Sequence, residues 1–145
     1  MPVLVQYVGF PLLFRHIPCI LELYTGDGGD GSVQVIHIDN SAFFRKVMKA
    51  FLTELGVECE SFERGEDALD VVATGRVSCV ITGLELVDMS GEDLIRQLIF
   101  SAQSMTIIAV TAVGDEERIQ RLDHLGVKAT IQKGGDWKEK LREYF

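Results

Sequence analysis

"SCVITGLELVDMSGEDL", Ser78–Leu94, decides the fold and raises the question of function. Val77 to Thr82 is a nearly continuous run of strand formers, the pattern of a strand covered on both faces. It breaks at Gly83. A loop and a second glycine, Gly91, follow, and then Leu94, Ile95, Leu98 and Ile99 recur at helical spacing with their side chains expected inward. Strand, loop and helix in that order make the repeating unit of a parallel sheet, and such sheets keep their chemistry at the carboxyl ends of the strands. Gly83 occupies that end and has no side chain to offer.

The same unit repeats on both sides. "VQVIHI" (Val33–Ile38) is a short strand, and Asp39-Asn40-Ser41 after it suit a helix start. Phe44, Val47, Met48, Phe51, Leu52 and Leu55 form one apolar helix face that Gly56 stops. "VECESF" is a weaker strand, as expected near a sheet edge, and "GEDALDVVATG" a short helix with Ala68, Leu69 and Val72 inward. Met105–Val110 is a buried strand. Asp115–Leu125 is a charged helix with Ile119, Leu122 and Leu125 inward. Lys128–Lys133 is a last strand, and Asp136 is placed to cap a final helix carrying Trp137, Leu141, Tyr144 and Phe145. Strict alternation with short links calls for parallel strands, right-handed crossovers and helices on both faces.

Hydrophobic residues are 47% and charged residues 25% of 145, a globular balance, and the net charge of -8 argues against non-specific nucleic-acid binding. Cys19, Cys59 and Cys79 have no metal-ligand spacing; Cys59 and Cys79, in apolar or strand-like runs, read as buried reduced thiols, which fits a cytoplasmic protein. Residues 1–32 differ from the rest. Gln6, Pro11, Arg15, His16, Pro18 and Glu22 interrupt their apolar runs, whereas a membrane span needs about 20 nearly uninterrupted apolar residues. "VLVQYV" and "CILELY" read as two short strands, and Thr25–Ser32 as a flexible linker. The expected organisation is an amino-terminal extension with linker, 1–32, and one domain, 33–145, with the extension as a surface for homo-oligomers rather than a membrane anchor. No Ser/His/Asp set, Cys/His pair or phosphate-cradling glycine motif argues for an enzyme. His37 reads as a core residue of its strand, and Glu85 and Asp88 as solvated loop acids.

The strand ends together resemble a family. Val33–Phe145 is similar to the receiver domain of two-component response regulators. "VIHIDNSAFFRKVMKAFLTELG" resembles its first strand, acidic turn and first helix. "CVITGLELVDMSGEDLI" resembles the strand and loop of the phosphoacceptor aspartate, "IIAVTAVGDEE" the strand with the switch threonine, and "LGVKATIQKG" the strand with the lysine. The resemblance implies a flavodoxin-like, doubly wound five-stranded parallel sheet of order 2-1-3-4-5, a fold that the amino-terminal segment would extend. It matches Asp39, Thr111 and Lys133 to the family's aspartate, threonine and lysine. It puts Gly83 at the phosphoacceptor position, Ile38 at one position of the acidic pair, and Val87 and Gly134 at two prolines.

Aspartyl phosphorylation needs a carboxylate nucleophile and Mg²⁺ held largely by carboxylates. The resemblance therefore implies a single-domain pseudo-receiver with a vestigial pocket of Ile38, Asp39, Gly83, Thr111 and Lys133, and with Mg²⁺ binding lost. Asp39 is expected to pair with Lys133. Such a chain would serve two-component or phosphorelay signalling by presenting a surface to a protein partner. By resemblance that surface is the fourth helix, fifth strand and fifth helix, with Ile119, Thr130, Trp137 and Tyr144 on it, while the helical spacing of Trp137, Tyr144 and Phe145 by itself reads as packing. The alternative is a switch with a non-standard phosphosite, or one that takes an anionic small ligand in the vacated pocket.

Overall fold

The computed structural model describes residues 34–101, 104–112 and 114–145. The expected strands at the amino terminus, the Thr25–Ser32 linker and Cys19 lie outside them. In chain order the elements are β1 (Gln34–Ile38), α1 (Ala42–Glu54), β2 (Cys59–Phe62), α2 (Gly65–Val72), β3 (Val77–Thr82), α3 (Gly91–Phe100), β4 (Thr106–Thr111), α4 (Glu116–Leu125), β5 (Ala129–Gln132) and α5 (Trp137–Arg142). All five strands are parallel, in the order β2-β1-β3-β4-β5. Ile38 is paired with Phe62 on one side and Thr82 on the other, so the carboxyl ends of β1, β2 and β3 are level.

The period of two along the strands divides the core. Ile36, Ile38, Val80 and Ala109 face α2, α3 and α4, where Ala68, Leu94, Ile95, Leu98 and Leu122 are buried. Val35, Cys79, Ile81, Ile108 and Val110 face α1 and α5, where Phe44, Met48, Phe51, Leu52 and Leu141 complete a second core. Ser41, Ser90 and Asp115 start α1, α3 and α4 by accepting hydrogen bonds from the N–H groups of Phe44, Asp93 and Arg118. Gly91 must be glycine: a Cβ there would lie 2.3 Å from the Gly83 carbonyl oxygen and 2.7 Å from Leu84 Cα. Its N–H donates to the Leu84 carbonyl at 2.8 Å, so the start of α3 rests on the backbone that leaves β3.

Three expectations need correction. Ile99 is 43% exposed rather than inward, because Leu94, Ile95 and Leu98 take the buried stripe of α3 and Ile99 stands at its margin, near Gly126. Asp136 precedes α5 without a side-chain capping bond; its carboxylate pairs with Lys140 at 3.6 Å instead. Cys59 is a free thiol but only half-buried, as befits the edge strand β2, whereas Cys79 is fully buried.

His37 is fully buried on β1, edge-on to the Phe44 ring at 5.7 Å between centroids. Neither ring nitrogen has a hydrogen-bond partner among the described residues. Burial lowers its pKa from 6.5 to about 4; Asp39 opposes the shift, and Lys133 and Arg45 add to it. The unfolded chain therefore takes up this proton before the folded one does. The neutral imidazole's contribution is complete above pH 6.5 and is lost as pH falls towards 4, by on the order of 3 kcal/mol. Urea unfolding at successive pH values should show stability falling through that window. His37→Leu should remove most of the slope, leaving the part due to carboxylates.

Candidate functional site

The strand register carries three side chains to one point. The ladder continues one residue past each strand: Asp39 N–H donates to the Phe62 carbonyl at 3.0 Å, Gly83 N–H to Ile38 at 2.7 Å and Lys133 N–H to Thr111 at 2.7 Å. The tips of β1, β3 and β5 are thereby fixed before any side chain is considered. Between them lies a cavity of about 200 Å³ whose walls include Asp39, Asn40, Gly83, Glu85, Thr111 and Lys133.

Asp39 dominates it. One carboxylate oxygen, Oδ1, accepts a hydrogen bond from Ser41 N–H at 2.8 Å and so shapes the entry to α1. The other, Oδ2, lies 2.7 Å from Lys133 Nζ. The approach is off the aligned hydrogen-bond direction, so the contact is a charge pair in which the Asp39 side chain is only 2% exposed. Lys133 Nζ also stands 4.1 Å over the Phe44 ring, and Arg45 Nη1 donates to the Asp39 carbonyl at 2.6 Å. The expected Asp39–Lys133 pair is therefore present, and it is a buried one.

Gly83 makes that geometry possible. A Cβ at Gly83 would lie 3.0 Å from Asp39 Oδ2 and 3.4 Å from its Cγ. The Asp39 carboxylate thus leans over the glycine, into the space where a side chain at that position would begin.

Ile38, expected in the pocket, is not part of it. Its side chain is fully buried with Ile36 in the core under α3, on the opposite side of the pleat from His37. Only its carbonyl oxygen comes near Gly83. The second strand-end residue that lines the pocket is Asn40, an exposed neutral amide. Thr111 is 4% exposed and lines the pocket as expected.

This donor set does not suit Mg²⁺, which favours octahedral oxygen ligands with carboxylate charge. The two oxygens of Asp39 are engaged by Ser41 and Lys133, Asn40 has no charge and Gly83 has no side chain. Among the described residues no three His, Cys, Asp or Glu side chains come together as a metal site.

The loop from Leu84 to Ser90 is held by its own acids, which are not merely solvated as expected. Asp88 accepts from the N–H groups of Gly65 at 2.7 Å and Glu66 at 3.0 Å, capping α2 from outside. Desolvation is the largest single influence and works against ionisation, but the backbone N–H groups of Glu66, Gly65 and Asp88 itself, with the Arg64 charge nearby, together keep the carboxyl below its usual range. Glu85 accepts from Arg118 Nη1 at 3.0 Å, and Arg118 grips Glu92 in a fork through Nε at 2.7 Å and Nη2 at 3.0 Å. Hydrogen bonding to Arg118 lowers the pKa of Glu92, and the two acids raise that of Arg118. One guanidinium thus joins the pocket rim, α3 and α4.

The expected partner anchors do not form one exposed patch. Trp137 packs on Phe44 and Phe51, with centroids 5.1 and 5.4 Å away, and Tyr144 packs against the same core. Ile119 and Thr130 are half-buried. Among the described residues, the large apolar side chains that are exposed are Phe43, Val87, Ile99 and Phe100. Phe43 and Val87 flank the pocket end of the sheet. Val87 stands where the resemblance puts a proline, and Phe43 lies beside Phe44, off the buried stripe of α1.

A flavodoxin-like sheet with Asp39, Thr111 and Lys133 at its strand ends belongs to a class defined by that site. Residues 35–144 match the family model of the response regulator receiver domain, and the chain belongs to that family. The sensor histidine kinase RcsC of Salmonella typhimurium is 24% identical over 109 residues, 75% of this chain and 11% of the kinase. The transcriptional regulator NtrC of Klebsiella pneumoniae is 27% identical over 78 residues, 54% of this chain and 17% of NtrC. The chain therefore matches only a small part of the length of these relatives. Among solved structures, the chemotaxis response regulator CheY4 of Vibrio cholerae has a TM-score of 0.70 at 19% identity, covering 78% of this chain and 98% of that one. The Saccharomyces cerevisiae co-crystal of the phosphotransfer protein Ypd1 with the receiver domain of Ssk1 has a TM-score of 0.62 at 17% identity, covering 70% and 79%.

The Arg118 clamp has a measurable weight. Its side chain is 20% exposed and that of Glu92 15%, so Arg118→Ala should destabilise the fold by about 1–3 kcal/mol in urea. Arg118→Lys should recover only part of that, since an ammonium cannot make the forked bond.

Proposed function

We propose that this receiver works in two-component signalling as a protein-interaction module without aspartyl phosphorylation and without a bound Mg²⁺. The observation that carries the reading is Asp39 over Gly83. The position where β3 would present a nucleophile has no side chain, and the carboxylate beside it is paired with Lys133 at 2.7 Å. An acyl phosphate needs a carboxylate that can attack and a cation set that can receive the phosphoryl oxygens. Here the only fully buried carboxylate of the pocket and its lysine satisfy each other. No catalytic activity is proposed. The free thiols of Cys59 and Cys79 fit a reducing cytoplasm.

A protein partner remains the reading for the surface. Its α4–β5–α5 face would be read through polar groups around Ile119 and Thr130, because Trp137 and Tyr144 give their rings to the core. Residues 1–32 are proposed as an association surface between copies, which light scattering on chains with and without them can test. The alternative, an anion in the vacated pocket, is the weaker reading, since such a ligand would meet the Asp39 carboxylate before it reached a free Lys133.

The test is incubation with a small phosphodonor and Mg²⁺, read by intact mass. The chain should gain no acid-labile phosphoryl group, and Mg²⁺ titration should leave the amide signals of Asp39 and Gly83 unmoved. Saturable shifts there, or a phosphoryl adduct, would sink the reading. Gly83→Asp alone should also stay unmodified. Its Cβ would start 3.0 Å from Asp39 Oδ2, and two carboxylates would crowd one lysine. Gly83→Asp with Asn40→Asp supplies three carboxylates around the pocket and should regain phosphorylation. Ile38→Asp is the wrong partner, because it would bury a carboxylate in the core under α3.

A further inference from the structure

Between α3 and α4 lies a second concavity, of about 480 Å³, and it shares no residue with the Asp39 pocket. Its walls carry Arg96 and Glu92 from α3 and Arg118, Arg121, His124 and Leu125 from α4. On α3 the spacing is four residues; on α4 it is three and four, so each helix turns one stripe towards the groove. In a chain of net charge -8, three arginines and a histidine face a single carboxylate there. We propose that this groove binds a compact phosphate ester of mononucleotide size.

The donors are prepared for such a ligand to different degrees. Arg118 is fixed by Glu92 and Glu85 and forms the rigid wall. Arg96 pairs with Asp93 at 3.0 Å and Arg121 with Glu117 at 3.3 Å, but all four of these side chains are more than half exposed. Surface pairs of that kind contribute little, whereas a guanidinium–phosphate fork is among the stronger polar contacts, so both arginines can turn to a phosphate. The His124 Nδ1 lies 2.7 Å from the Gln120 carbonyl oxygen. A carbonyl only accepts, so Nδ1 carries the hydrogen and Nε2 holds a lone pair, which suits a hydroxyl or amino group on the organic part of the ligand rather than its phosphate oxygens. Leu125 and the faces of the guanidinium groups offer an apolar and stacking wall to the organic part.

The size and surroundings select a small ligand over an extended polyanion. The volume falls in the range of small-molecule sites. Beyond the groove the surface turns acidic, with Asp93, Glu117 and Asp123 all exposed, so an extended acidic peptide would run into like charge. Because Arg118 also holds Glu85 on the rim of the other pocket, a ligand here would bear on the contact that ties α4 to the β3–α3 loop.

The experiment is titration of the full chain with ADP and, separately, with inorganic pyrophosphate, followed by amide shifts. ADP should give saturable shifts confined to Ser90–Arg96 and Arg118–Leu125, and pyrophosphate weaker ones at the same residues. Arg96→Ala with Arg121→Ala, both at exposed positions and therefore expected to stay folded by circular dichroism, should weaken ADP binding at least about tenfold. No saturation with either compound overturns the proposal. So do shifts centred on Asp39, Gly83 and Lys133, or an affinity unchanged in the double variant. Saturable binding of an aspartate-rich peptide in the groove without binding of ADP overturns it as well.

Discussion

A carboxylate carried into the end of a parallel sheet must find a cation, because an unpaired buried charge costs several kcal/mol. Asp39 is that carboxylate and Lys133 that cation. Neither is free to move without exposing the other to an apolar or desolvated surround: Lys133 rests over Phe44, and Asp39 Oδ1 is tied to the start of α1. Gly83 gives the pair its room. Between strand tips that the backbone ladder fixes, the filling of the pocket and the entry to α1 are thus settled by one charge pair and one missing side chain.

Most of the architecture was legible in the sequence because periodicity and strand chemistry are local. The β1 and β3 runs, the Phe44–Met48–Phe51–Leu52 stripe and the Gly56 stop all stand within a few residues of what they determine. The sheet order came from the resemblance, since alternation alone leaves several orders open. Ile38 was misread although its signal was present: Ile36 and Ile38 alternate with Val35 and His37, and that period assigns Ile38 to the α3 side. Asp88 and Glu85 were not legible. Asp88 caps a helix 22 and 23 residues earlier, and Glu85 meets an arginine 33 residues later. No local pattern announces contacts at such separations. Trp137 is intermediate, since its helical position was clear but its choice between core and partner depended on Phe44 and Phe51 facing it.

The β3–α3 loop is where these long-range contacts meet. Val87 N–H donates to the Glu63 carbonyl at 3.3 Å, Asp88 caps α2, and Glu85 reaches α4. Met89 packs where a Cβ on Gly65 would lie, its sulfur 2.6 Å from that point. A loop that lacks the side chain of its first residue, Gly83, is therefore not a slack one. Its remaining residues bind the neighbouring helix starts to the rim of the pocket, and the scaffold around position 83 is held without a side chain there.

The contact between Gly91 and the chain leaving β3 has a mechanical consequence. Backbone rests on backbone there, with no side chain to rotate out of the way, so α3 cannot slide along the sheet without breaking the Gly91–Leu84 hydrogen bond. α4 has no such seat in the loop and is moored to it through the Arg118 side chain. The two adjacent helices therefore meet the loop in different ways: α3 abuts it backbone to backbone, whereas α4, seated in the core by Leu122, is tied to it through a guanidinium that a single substitution removes.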